Sequence, residues 1–244
     1  MPARFLSSSL PGPTETLRLD GAEGHHLSRV LRVRAGEAVE GLDGKGTIWS
    51  STVVEAGKNG VLLQGERVTT VPKPAPDLGV AMAVLKPQAM EWAVQKASEL
   101  GVTHFYPVLT EHTVARLGKD REARWLQRTE RIVEASLKQC GRAWRPTIHA
   151  PMRWKEFMAR PLSGARFIAE LGEGTVPLAE GLEGCSGEAT ILVGPEGDFS
   201  ETEGQDARQA GWTPVSLGES VLRAETAVLY ALSAMVYTQR RDTR

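Results

Sequence analysis

The sequence predicts a small β-barrel followed by an α/β domain built on a mostly parallel sheet. Three observations lead there. Up to about residue 70, short strand-like runs are separated by glycine turns. Residues 72–77, PKPAPD, then hold three prolines in six positions, too stiff and too poor in donors for a central strand. Beyond them, apolar runs alternate with segments of helical period, the signature of strands covered by helices on both faces. The boundary therefore falls between residues 1–72 and 73–244.

In the first part, AVEGL, GTIWSSTVVEA and GVLLQGERVTTV read as strands joined by glycine turns. The interruption EGHHLSRVLRVRAGE spaces Leu27, Val30, Leu31 and Arg34 as one helix face before Gly36 stops it. In the second part, LGVAMAVL is a buried strand, and a helix over 88–100 turns Met90, Ala93, Val94, Ala97 and Leu100 to one side before Gly101. VTHFYPVL follows as a strand. Asp120 is placed to cap a long helix through Leu126, Val133 and Leu137 to Cys140. ARFIAEL, ATILVGP and WTPVSLG are further strands. A helix over 200–210 opens on Ser200 and Glu203, three apart as in a capping box, and the last helix, about 224–239, buries Val228, Leu229, Leu232, Met235 and Val236.

Composition narrows the function. The 244 residues are 41% hydrophobic and 24% charged, ordinary for a globular protein. No apolar run has the length of a membrane span, and MPARFLSSSLPGPTE lacks the apolar core of a signal peptide. Cys140 and Cys185 are isolated, so a reducing, cytoplasmic setting is expected. The net charge of −1 hides an asymmetry: residues 112–166 carry thirteen Lys and Arg against five Asp and Glu, whereas residues 167–226 carry two against twelve. The basic segment suits a polyanion and the acidic one a cationic group.

Ligands of parallel sheets collect beyond the carboxyl ends of the strands. Three glycine loops occupy such ends: ELGEGTVP, VGPEGDF and SLGESVLRAET. The first reads GxGxxP, lacking the third glycine of a dinucleotide fingerprint, and no Walker motif occurs, so a Rossmann oxidoreductase is a remote alternative. His25, His26, His104, His112 and His149 show no metal-ligand spacing, and no metal is expected. Cys140 reads as packing and Ser200 as a cap. A bound cofactor performing the reactive step fits this pattern best. Arg29, Arg32, Arg34, Arg116, Arg124, Arg142 and Arg145, with Trp125 and Trp144 interleaved, suit RNA, where guanidinium groups meet phosphates and rings stack on bases.

HHLSRVLRVRAGEAVEGLDGKG, MEWAVQKASELGV, EASLKQCGR, ILVGPEGDFS and SLGESVLRAETA, in that order over nearly the whole chain, resemble the RsmE family. Those are SPOUT-superfamily methyltransferases that methylate N3 of one uridine in 16S rRNA of the small ribosomal subunit. The resemblance implies a PUA-like RNA-binding barrel (1–72), a SPOUT domain with a deep trefoil knot (73–244), a homodimer through that domain and S-adenosyl-L-methionine as cofactor. It assigns Leu171, Gly172, Gly194, Glu196, Gly197, Leu217, Gly218 and Leu222 to the cofactor. Arg223 would stabilise a developing uracil anion and Glu196 would accept a proton; Glu225 and Thr226 read as caps of the last helix. Two departures stand out: Asp198 replaces a frequent glycine after GPEG, and Ser220 replaces a frequent basic residue. An enzyme for another nucleotide or a ribose 2′-oxygen, or a non-catalytic RNA-binding factor, are the alternatives.

Overall fold

The computed structural model describes residues 1–58, 60–113 and 119–241, with the backbone alone for residues 119–121, 240 and 241. By its internal contacts the chain divides into two units, residues 1–74 with 134–145 and residues 75–133 with 146–244.

The first unit contains β1 (Ala3–Leu6), β2 (Thr16–Leu19), α1 (Gly21–His25), a π-helical turn (His26–Val30), β3 (Ala38–Leu42), β4 (Thr47–Gly57) and β5 (Gly60–Thr70). The strands form one sheet in the order β1-β3-β4-β5-β2, antiparallel except for β1 beside β3. Alternation along β4 and β5 turns Trp49, Val53, Val61 and Leu63 inward, against Phe5 and Leu27. Burying a side chain such as Phe5 or Leu27 contributes about 1.5–3 kcal/mol, and the Trp49 indole N–H is satisfied by the Gly12 carbonyl at 3.0 Å.

The HHLSRVLRVR segment departs from the helix its spacing predicts. Leu27 is buried, but the turn widens to a π form and Arg32 takes φ 55. The widened turn leaves Val30 and Leu31 exposed, and the left-handed residue redirects the chain after it so that Val33 turns inward. Trp144 departs too: its indole N–H donates to the Val71 carbonyl at 2.9 Å, and its ring lies where a side chain at Gly46 would stand. It packs this unit rather than waiting for a base.

The second unit contains β6 (Leu78–Ala83), α2 (Pro87–Leu100), β7 (His104–Leu109), β8 (Thr147–Ile148), β9 (Met152–Arg153), α4 (Trp154–Met158), β10 (Ala165–Ala169), β11 (Val176–Pro177), α5 (Leu178–Gly181), β12 (Ala189–Val193), α6 (Glu201–Gln209), β13 (Thr213–Ser216) and α7 (Ala224–Arg241). α3 (Lys119–Cys140) runs from this unit into the first, and Asp120 lies inside it rather than at its start. The sheet order is β11-β13-β10-β12-β6-β7-β8, with β9 also on β7, and every pair is parallel. β6 and β12 are buried along their whole lengths, as strands covered on both faces must be. Pro87 opens α2, where its missing N–H costs nothing, and Gly101 at φ 99 closes it. α7 packs on α2, β6 and β12. The short elements at 147–158 and 176–181 carry no periodic signal in the sequence. Among the described residues, no helix is long and apolar enough to cross a membrane.

At the amino end of β7, His104 Nδ1 lies 3.3 Å from His149 Nε2, and both rings stack with Tyr106. Burial, with Arg160 and His104 nearby, holds the His149 imidazole down at about 4. The folded protein therefore keeps His149 neutral where the unfolded chain takes a proton. The contribution of His149 to stability is fully present above pH 6.5 and is lost as pH falls from there toward 4. The expected loss is about 1–2 kcal/mol, allowing for solvent screening of the half-exposed ring. Urea titrations of His149→Asn are expected to show that part of the acid dependence removed.

Candidate functional site

Three strand ends converge on one cavity of about 240 Å³, close to the lower limit for small-molecule sites. β10 delivers Ala169, Glu170 and Leu171; β12 delivers Val193, Gly194, Pro195, Glu196 and Asp198. After β13 the chain adds Leu217, Gly218 and Ser220 through Arg223, and the first turns of α7 add Ala224 and Ala227. Of the residues assigned from the sequence, Leu171, Gly194, Glu196, Leu217, Gly218, Leu222 and Arg223 share this lining; Gly172 and Gly197 lie outside it. Position directly after a strand would also have found Glu170, but nothing in the pattern points to Ala227.

The walls combine apolar surface with close backbone. Gly218 has φ 115, a conformation L side chains rarely adopt, and a Cβ there would meet nothing within 4 Å. A Cβ at Gly194 would come within 3.1 Å of the Phe199 ring. Asp198 also takes left-handed backbone, φ 58, which explains why glycine suits its position. Its carboxylate compensates by accepting the Phe199 N–H at 2.8 Å and the Leu171 N–H at 3.4 Å, joining two of the three loops. Glu170 pairs with Arg208 at 2.5 Å; burial pushes its carboxyl up despite that partner, with Asp198 adding to the rise.

Arg223 is exposed and sits immediately before α7, where its carbonyl accepts the Ala227 N–H at 2.8 Å. A guanidinium beside a helix N-terminus adds its charge to the positive end of the helix dipole, and both attract an anion. Glu225 and Thr226 fall inside the first turn of α7, not at its cap. The capping box at α6 forms as its spacing predicts, yet Glu203 does more: its second carboxylate oxygen accepts the Glu111 N–H at 2.8 Å.

Among the residues assigned to RNA, Arg29, Arg32, Arg34 and Arg124 are exposed. Arg142 is half-buried, and Arg145 pairs with Glu134 at 2.8 Å. Arg116 lies outside the described residues. No group of three or more His, Cys, Asp or Glu is placed to hold a metal among the described residues.

Comparison with known proteins agrees with this geometry. Residues 72–236 match the model of an RNA methyltransferase domain, and residues 19–64 match that of an RNA methyltransferase PUA domain. Ribosomal RNA small subunit methyltransferase E of Mycobacterium tuberculosis is 30% identical over 243 residues, covering 98% of this chain and 93% of the relative. The protein of that name from Synechocystis is 30% identical over 89% of this chain and 72% of its own. Two solved structures superpose with a TM-score of 0.85 over 96% of this chain and 97% of theirs. They are ribosomal RNA small subunit methyltransferase E of Neisseria gonorrhoeae bound to S-adenosyl methionine, 29% identical, and a putative methyltransferase of Legionella pneumophila with bound SAM, 27% identical. A matched domain over most of its length and relatives collinear with nearly all of it show that the chain belongs to the ribosomal RNA small subunit methyltransferase E family.

Proposed function

We propose that this protein transfers a methyl group from S-adenosylmethionine to N3 of one uridine in 16S rRNA of the small ribosomal subunit. The observation that carries this is the cavity itself, in which three glycine-bearing strand ends bring apolar walls, close backbone and Arg223 together. The residues fit such a cofactor. A purine needs backbone groups at close range, which the turns at Gly194 and Gly218 permit, and the exposed carboxylate of Glu196 suits a cation. S-adenosylmethionine supplies an electrophilic methyl group when bound.

The chain's own task is to hold the uracil in line and to manage its N3 proton. Arg223 donates to the base and stabilises the anion left when that proton departs. Glu196, exposed on the same cavity, accepts the proton. The target base turns out of its stack to enter. Arg29, Arg32, Arg34, Arg116, Arg124, Arg142 and Arg145 serve the rRNA phosphates, a role the acidic 167–226 segment would oppose.

The trefoil knot and the homodimer belong to the same proposal. The sheet order supports the knot: from β13, on one side of β10, the chain returns past the ends of β10 and β12 to reach α7, which packs on β12 and β6. Tyr230 and Tyr237, seven apart and so on one face of α7, are 52% and 66% exposed. A second copy of the chain covers this face. Light scattering of Tyr230→Asp/Tyr237→Asp is expected to give a monomer where the unmodified protein is a dimer; a monomeric unmodified protein would contradict the assignment. For the cofactor, calorimetry is expected to show S-adenosylmethionine bound and NAD not bound. Binding of NAD instead would replace the methyltransferase assignment.

A further inference from the structure

We infer that Glu203 and His112 are positioning residues for methyl transfer, strapping the 110–113 turn onto the 194–199 turn that walls the cavity. The inference rests on the cofactor assignment above. Glu203 is only 5% exposed and uses both carboxylate oxygens on backbone donors, Ser200 N–H at 3.0 Å and Glu111 N–H at 2.8 Å. A helix cap needs the first bond alone. The second reaches 92 residues back, to the turn following β7. From that same turn His112 brings Nδ1 within 2.9 Å of the Asp198 carbonyl, and its side chain lies 3.6–3.7 Å from where a Cβ at Gly197 would stand.

The turn is stiff enough to act as an anchor. Thr113 Oγ1 accepts the Thr110 N–H at 3.0 Å and shares a hydrogen bond with Thr110 Oγ1 at 2.8 Å. β6 lies between β7 and β12 in the sheet, so the strap joins loops that are not neighbours along the strand order. Its far end is Asp198, whose carboxylate in turn reaches Leu171. One series of bonds thus runs from Glu111 and His112 through the 194–199 turn to the loop after β10, fixing two of the three walls.

The imidazole strengthens this strap when protonated. Its hydrogen bond to the Asp198 carbonyl raises its pKa, and the carboxylates facing it, Glu111 on its own turn and Glu203 on α6, act the same way. A raised pKa places the stronger strap at low pH and weakens it as pH rises through the folded value.

Calorimetry of the full chain with S-adenosylmethionine tests the inference. His112→Ala and Glu203→Gln are each expected to weaken binding roughly tenfold, the effect of losing one well-formed hydrogen bond that holds a site. Ser200→Ala, which removes only the cap, is expected to lower the Tm by a few degrees while keeping affinity within about twofold. Affinity of the unmodified protein should fall as pH rises across the imidazole range, and His112→Ala should flatten that profile. If Glu203→Gln does not fold, exposed His112 still decides the matter. Unchanged affinity in His112→Ala overturns the strap while leaving the cofactor assignment intact. Failure of the unmodified protein to bind S-adenosylmethionine overturns both.

Discussion

Arg223→Ala is expected to lower kcat by about 10²–10³ while changing the Kd for S-adenosylmethionine by no more than about threefold. The asymmetry follows from where the side chain stands. Arg223 lines the cavity, is exposed, and precedes the first turn of α7, so its guanidinium and the helix N-terminus favour negative charge in the same place. Little such charge exists before the uracil gives up its proton, and most of it exists in the transition state. A donor serving that state alone affects turnover rather than binding. Arg223→Lys, keeping the charge but losing the planar fork, is expected to fall between the two. Equal losses in kcat and cofactor affinity would instead place Arg223 among the groups that hold the cofactor.

Gly218→Val is expected to weaken S-adenosylmethionine binding by at least about 100-fold, the combined effect of about 1–3 kcal/mol of backbone strain and a branched side chain in the space the ligand uses. At φ 115 every L residue is strained, and the open space beside Gly218 belongs to the cavity lining. Gly197 makes the instructive contrast. It lies outside the lining, its backbone is unremarkable, and a side chain there meets His112. Gly197→Val is therefore expected to act through the strap and to weaken binding less than Gly218→Val. Calorimetry of the two variants checks the order; a larger effect at Gly197 would relocate the ligand.

Much of this site was legible because its signals are local. The strand ATILV is a continuous apolar run, Ser200 and Glu203 sit at capping distance, and glycine directly after a strand marks a place where backbone approaches a ligand. The hidden features depend on partners far away in sequence. Nothing near Glu203 announces a bond to Glu111, and His104 and His149 meet only because β7 and β8 pair. Trp144 looked like a stacking ring among arginines until Val71 and Gly46 claimed it. Residues 134–145 group by contact with the first unit, where Lys138 pairs with Glu23 at 2.8 Å, a placement that no local signal carries. The spacing of Leu27, Val30 and Leu31 promised one helix face, but the turn widens to a π form that leaves Val30 and Leu31 exposed, and the left-handed Arg32 brings Val33 inward instead.

The most direct test is to incubate the purified protein with S-adenosylmethionine and small ribosomal subunits lacking the modification, then to locate the added methyl group in 16S rRNA by mass spectrometry. One methyl group on the base of a single uridine, at N3, is the predicted result, and Arg223→Ala should nearly abolish it. A methyl group on a ribose 2′-oxygen or another nucleotide, or no transfer by a protein that binds the cofactor, would contradict it.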